Sequence, residues 1–295
     1  MQQRSLTSFD GTQIVYRVGG TGTRWLVVAN GYGGSFWAWE EIFRELEPRY
    51  RVLIWDYRGF YASGVPSDPA RMTIEDNCRD LDALMATEGI ETMVLAGWSV
   101  GVQVALEQYR RRPETVEALL LVNGAHGRVL HRSGDAWLAP RLLPHGVGAL
   151  RRLTPLLTPL LLPPLRMFAR TPLSLRFLAA TGLVQGQPAS IQTALQSVLT
   201  LDYGRYLGMG LLADQHDTED LLPRVAVPTL VTAGDRDIIT STRVARHIAS
   251  RIPGATYFEI PGATHYAVME FPRLLANRID SFIRGRLDHP PVPGS

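Results

Sequence analysis

Between Met93 and Tyr109 the chain runs through an apolar stretch, a tight turn and a stretch of helical periodicity, and the turn is Gly97-Trp98-Ser99-Val100-Gly101. This G-x-S-x-G arrangement predicts a buried strand from Met93 to Ala96, a sharp reversal, and a helix from Val102 to Tyr109. Strand and helix must cross closely on either side of the serine. A side chain at position 97 or 101 would collide there, so only glycine is tolerated. The serine is held in a strained backbone conformation at the apex. Its hydroxyl then projects from the edge of a sheet, at a helix N-terminus whose free N–H groups favour developing negative charge.

The rest of the chain must supply that sheet. At 295 residues there is room for one large α/β domain with an insertion, or two small domains. An apolar content of 45% with 20% charged residues suits a chain able to bury a large core. Trp25 to Asn30, Val52 to Trp55, Ala118 to Asn123 and Val227 to Ala233 are apolar throughout, without alternation, as strands of a parallel sheet covered on both faces are. Asp10-Gly11 splits two alternating runs, Gln3 to Ser8 and Thr12 to Val18, which predicts a hairpin. Helical spacing follows most strands: Phe36 to Leu46, Thr73 to Ala86, Ser241 to Arg251 and Ala267 to Leu287, with Thr73 and Asp76 at capping-box spacing. Ala255 to Ile260 is a last strand. Strands alternating with helices give a doubly wound, mostly parallel α/β sheet, whose site lies at the carboxyl ends of the strands.

Four positions just after strands therefore matter: Ser99, the glycine loop Gly31 to Gly34, Asp237 and His265. A serine hydroxyl is a weak nucleophile unless a base takes its proton, and neutral imidazole suits that role near pH 7. A buried carboxylate fixes the imidazole tautomer and stabilises the imidazolium that forms. Asp235 competes with Asp237 for that place. His126, His131, His145, His216, His247 and His289 compete with His265; His247 falls mid-helix, His289 in a proline-rich tail, and His126 near the end of a strand, where it could line a pocket.

The order Ser…Asp…His, the loop Asn30-Gly31-Tyr32-Gly33-Gly34-Ser35, the turn Asp56-Tyr57-Arg58-Gly59, Gly234-Asp235-Arg236-Asp237 and Gly262-Ala263-Thr264-His265 together resemble the α/β-hydrolase superfamily over almost the whole chain. The resemblance implies a core from residues 1–127 and 226–295, and a helical lid from 128–225 inserted between two strands. It also implies Ser99 as nucleophile, His265 as base, Asp237 as acid, and the backbone N–H groups of Tyr32 and Val100 as oxyanion donors. Three positions depart from the family pattern: Asn30 replaces a frequent histidine, Tyr61 a frequent glycine, and Val102 a second glycine after the turn. The implied activity is cofactor-free hydrolysis of a carboxylic ester with a hydrophobic acyl part, through an acyl-enzyme. Hydrolysis of carbon–carbon bonds in diketones would use the same residues, and a ligand receptor on the same fold would carry the triad in a vestigial or slow form.

Other classes are excluded by what is missing. All 30 basic residues are arginine, so Schiff-base chemistry, a lysine-bound pyridoxal cofactor and a Walker-type phosphate loop are ruled out. A net charge of +2 argues against a general nucleic-acid binder. No His-Glu-x-x-His or clustered Cys/His spacing announces a metal. The single cysteine, Cys78, forbids an intrachain disulfide. No signal-like segment opens the chain and no apolar stretch reaches the ~18–20 residues of a transmembrane helix, so a cytoplasmic enzyme is expected.

The inserted segment is distinctive. Leu153 to Leu165 holds seven Leu and four Pro, and the prolines at 155, 159 and 163 predict short broken helices over the pocket. Its leucines either dock the insertion on the core or line an acyl pocket. Arg128 to Leu183 holds eight arginines (128, 132, 141, 151, 152, 166, 170 and 176) against Asp135 alone. Such a run is a solvated face or an attractor for an anionic partner. The chemistry admits an acidic carrier protein bearing the substrate, or an anionic membrane surface helped by the leucines.

Overall fold

The computed structural model describes residues 1–132, 139–185 and 189–288, so Asp135 and His289 lie outside the described residues. Eight strands form one sheet in the order β1-β2-β4-β3-β5-β6-β7-β8. They are β1 (Gln2–Thr7), β2 (Gln13–Gly19), β3 (Arg24–Ala29), β4 (Tyr50–Trp55), β5 (Met93–Trp98), β6 (Val116–Val122), β7 (Thr229–Gly234) and β8 (Thr256–Ile260). The hairpin β1–β2 and the β2–β4 pair are antiparallel, and every other neighbour is parallel. The result is the expected architecture, a mostly parallel sheet flanked by helices.

The flanking helices are α1 (Glu40–Leu46), α2 (Ile74–Glu88) and α3 (Gly101–Arg111); between β6 and β7 come α4 (Val129–Arg132), α5 (Ala139–Ala169), α6 (Pro172–Ala180), α7 (Ala189–Val198) and α8 (Tyr203–Ala213); then follow α9 (Thr242–Arg251), α10 (Ala267–Glu270) and α11 (Pro272–Ile283). Each central strand is apolar on both sides because each side meets a different core. Leu95, Leu119 and Leu121 pack with residues of α2, α3 and α9 on one face. Val94, Ala96, Leu120 and Val122 pack with α1, α10 and α11 on the other. Each such leucine or valine side chain contributes roughly 1.5–3 kcal/mol relative to exposure. At the start of α2 the Thr73 hydroxyl accepts from Asp76 N at 3.1 Å, completing the expected capping box.

Two expectations fail. The closing helix is not continuous from Ala267. Phe271 leaves helical geometry (φ −130°, ψ 48°) before Pro272, which disfavours helix at the residue preceding it and opens α11. The prolines of the inserted segment do not break it into short helices: α5 runs for 31 residues with five prolines inside. A proline at position i removes the N–H that would meet the carbonyl at i−4, and its ring crowds that carbonyl. The Arg151 carbonyl freed by Pro155 instead accepts the Thr154 hydroxyl at 2.8 Å. Pro159 and Pro163 free the carbonyls of Pro155 and Pro159, one turn apart along a solvent-facing side where water can satisfy them.

The segment carrying α4–α8 leaves and rejoins the core at one place. Gly127 and Asp217 form an antiparallel bridge, with Arg128 N donating to His216 O and Thr218 N to His126 O, both at 2.9 Å. No helix among the described residues is long and apolar enough to cross a membrane.

Candidate active site

The turn after β5 has the strain that its sequence predicts. Ser99 has φ +56°, a left-handed conformation unusual for a side chain other than glycine. A Cβ on Gly97 would lie 2.2 Å from the Gly101 carbonyl oxygen, and one on Gly101 would lie 2.1 Å from that of Ala29, so neither position admits alanine. The bulk of Val102 is accommodated by Gly124, where a Cβ would come within 2.4 Å of the valine.

The structure brings Ser99, Asp237 and His265 together at the carboxyl edge of the sheet. Ser99 Oγ lies 2.9 Å from His265 Nε2, and His265 Nδ1 lies 2.9 Å from Asp237 Oδ2. Asp237 follows β7 and His265 follows β8. An ionised carboxylate only accepts, so Nδ1 carries the imidazole proton and Nε2 is free to accept from the serine. Asp235 is elsewhere: it is exposed, and its Oδ1 accepts from Gly262 N at 2.7 Å, tying down the turn that leads to His265.

Asp237 is heavily supported. Oδ1 accepts from the backbone N–H groups of Ile239 and Thr240, both at 2.8 Å. Oδ2 accepts from Asn123 Nδ2 at 2.9 Å, and the Thr240 hydroxyl lies 2.8 Å from it. Burial works to raise the Asp237 carboxyl, but the charge and hydrogen bond of His265, with the bonds from Asn123 and Thr240, outweigh it and hold the group below the usual carboxylate range. Asn123 also donates to the Thr264 carbonyl at 3.2 Å, next to the histidine. Trp98 is buried, and its Nε1–H donates to the His265 carbonyl at 3.0 Å, fixing the histidine backbone from the serine's own neighbour. The motifs alone assign no role in the relay to Trp98, Asn123 or Thr240. Asn123 was within reach, because it is the first residue beyond β6 and shares the strand-end rule that picked out the others.

The glycine loop lies beside the serine. Neither the Tyr32 nor the Val100 N–H meets an acceptor among the described residues. Tyr61, the departure from glycine, adopts φ +47° and donates its hydroxyl to the Gly33 carbonyl, fastening this loop from the neighbouring turn. Asn30, the departure from histidine, turns inward, and its Oδ1 accepts from Gly31 N at 3.1 Å. The Tyr32 ring stacks on Tyr206 of α8 at 4.0 Å, and its hydroxyl accepts from Gly210 N at 3.1 Å. Burial drives the Tyr32 phenol well above its ordinary value, so it stays neutral.

A cavity of about 150 Å³ is walled by Tyr32, Trp98 and Tyr266 from the core and by Leu178, Ile191 and Tyr206 from α6–α8; Ser99 and His265 do not line it themselves, but their chain neighbours Trp98 and Tyr266 do. A larger cavity of about 470 Å³, lined by Arg24, Arg49, Glu117 and Asp288, sits at the amino ends of the strands, away from Ser99. His126 does not reach the apolar cavity. It pairs with Glu219 at 2.7 Å, which also accepts His247 at 2.9 Å and lies 3.7 Å from Arg251. His126, Glu219 and His247 are far apart in sequence, so spacing alone could not show the cluster; here one ligand atom of each lies within 4.8 Å of the others where the inserted segment rejoins the core.

Residues 24–272 match the family model for the alpha/beta hydrolase fold. A RutD protein of Azorhizobium caulinodans, named as a proposed carbamate hydrolase, is 28% identical over 253 residues, covering 85% of this chain and 88% of its own. A hydrolase from Pseudomonas aeruginosa PA01 superposes with a TM-score of 0.76 at 23% identity, over 95% of this chain and 98% of its own. A thermophilic esterase from Thermogutta terrifontis, solved with malate bound, gives 0.73 at 25% identity, over 97% and 99%.

Proposed function

Since the chain belongs to the alpha/beta hydrolase fold family, we propose that it is a serine hydrolase that cleaves a carboxylic ester with a hydrophobic acyl part. A hydrolase on this fold is the coarser statement that the relatives support. The ester reading is carried by one observation: the Ser99–His265–Asp237 relay has both links at 2.9 Å, and Trp98 and Tyr266, the chain neighbours of its serine and histidine, line an apolar cavity.

In this reading Ser99 Oγ attacks the ester carbonyl while His265 Nε2 takes its proton. The resulting imidazolium faces Asp237, and the oxyanion is met by the N–H groups of Tyr32 and Val100. Collapse breaks the carbon–oxygen bond to the alcohol, which leaves with the proton from Nε2. Water, deprotonated by the same nitrogen, then attacks the acyl-serine and frees the acid. The segment with α5–α8 acts as a lid, since three of its helices wall the cavity. The cavity's apolar lining supports an acyl occupant.

The test is a panel of p-nitrophenyl esters from acetyl to palmitoyl, a small carbamate, and a fluorophosphonate probe. Labelling confined to Ser99 with turnover of the hydrophobic esters is expected. Turnover of the carbamate alone would replace the ester reading, and an unlabelled Ser99 would sink it.

A further inference from the structure

The side of α5 and α6 that faces away from the cavity is unlike any other surface of the described residues. On α5, Leu153, Leu160 and Met167 repeat every seven residues, and Leu156 lies within one turn of the first two. They are 49%, 71%, 72% and 72% exposed respectively. The opposite side of the same helix is buried through Thr154, Leu162 and Ala169, so the helix is apolar both toward the protein and toward water. On α6, Leu173 and Phe177 are likewise exposed, and Phe177 meets Phe168 of α5 edge to face at 6.2 Å, joining the two helices into one patch.

The patch is bordered by one sign of charge. Arg152 is one turn before Leu156, Arg170 one turn after Met167, and Arg176 is exposed on α6, whereas Arg151 lies against Gly208 of α8 and Arg166 donates to the Leu199 carbonyl on the protein side of α5. None of the five pairs with a carboxylate among the described residues, and the sequence has no acidic residue at all between Asp135 and Asp202. An exposed leucine row alone would not say what covers it; the uncompensated arginines beside it do.

We propose that the α5–α6 face docks on an anionic lipid surface. Leucine, methionine and phenylalanine side chains enter the headgroup–acyl boundary while the guanidinium groups meet lipid phosphates. The helix lies in the plane of the interface, since it is not apolar enough to cross. An acidic protein would satisfy the arginines but leave the leucine row in water, which is why lipid is the better fit. The binding claim does not depend on the chemistry at Ser99.

The test uses the full chain carrying Ser99→Ala, so that turnover plays no part. Co-sedimentation is measured with phosphatidylcholine vesicles, with and without half phosphatidylglycerol. Binding to the anionic vesicles at 0.1 M salt is expected, falling at least tenfold at 0.5 M as screening shortens its range. Arg152→Gln with Arg170→Gln should weaken it about 25-fold, at about fivefold per arginine, and Leu156→Ser with Leu160→Ser should weaken it on all vesicles. An environment-sensitive dye on Leu160→Cys should shift to the blue on binding; Cys78 is fully buried and will not compete. The same dye on Glu114→Cys, just before β6 and so at the other end of the sheet, should not shift. The proposal is overturned by failure to bind anionic vesicles, by binding that leaves the Leu160 dye unshifted, or by an acyl carrier protein or a second copy of the chain covering the dye while vesicles do not.

Discussion

Replacing Asp237 by asparagine tests the relay at its most constrained point. The two sides of the carboxylate are not equivalent. Oδ1 faces two backbone N–H groups, Ile239 and Thr240, that cannot turn away. The oxygen of the new amide must therefore take that side, and its NH₂ falls where Oδ2 was. There it confronts Asn123 Nδ2 and the Nδ1–H of His265, donor against donor. The conflict is relieved when the imidazole moves its proton to Nε2 and accepts at Nδ1. In that tautomer Nε2 cannot take the Ser99 proton, and the carboxylate charge that would face the imidazolium is gone. The combined loss reaches ~10⁴ in kcat, or about 5.4 kcal/mol at 1.36 kcal/mol per decade. Asp235→Asn is the internal comparison: its one bond, from Gly262 N, is accepted by an amide oxygen as well as by a carboxylate, and kcat should stay within about threefold. The assay is kcat on a p-nitrophenyl ester for both variants, with thermal melts to show that both are folded and proton NMR to follow the Nδ1–H resonance. If the substitution at 235 is the more damaging, or if the one at 237 leaves more than a tenth of the activity, the reasoning is wrong.

Ser99→Ala should cost on the order of 10⁴-fold or more in kcat with an unchanged melt, and residual activity above a few per cent in a clean preparation would rule out the nucleophile. Tyr61→Phe removes the hydrogen bond to the buried Gly33 carbonyl, worth about 1–3 kcal/mol when the acceptor is left unpaired; kcat should drop roughly 5- to 100-fold with KM little changed, and an equal rise in KM would show that the loop serves binding instead. Asp237 is held ionised in the folded state, so its contribution to stability is complete above its unfolded value of ~3.9 and is lost as pH falls through the lower folded value. The melting difference between the native chain and Asp237→Asn should accordingly shrink as pH falls below about 4, and a difference that grows on acidification would reverse the sign of this argument.

Local chemistry was legible in the sequence because it is written within a few residues. The glycines flanking Ser99 are demanded by one close crossing of a strand and the helix after it. The capping box of α2 is a contact three residues long, and unbroken apolar runs report burial on both faces. The strand-end rule then placed Ser99, Asp237 and His265 on one edge before any distance was known. What the tertiary structure decided has no local signature. Asn123 and Trp98 support the relay only because β5, β6, β7 and β8 end side by side, bringing residues more than a hundred positions apart within hydrogen-bond reach. The His126–Glu219–His247 network arises in the same way, where a long excursion of chain returns to its start. In α5 the proline rule was overridden: the helix continues through five prolines, and carbonyls deprived of their N–H partner meet the Thr154 hydroxyl, as at Arg151, or face water.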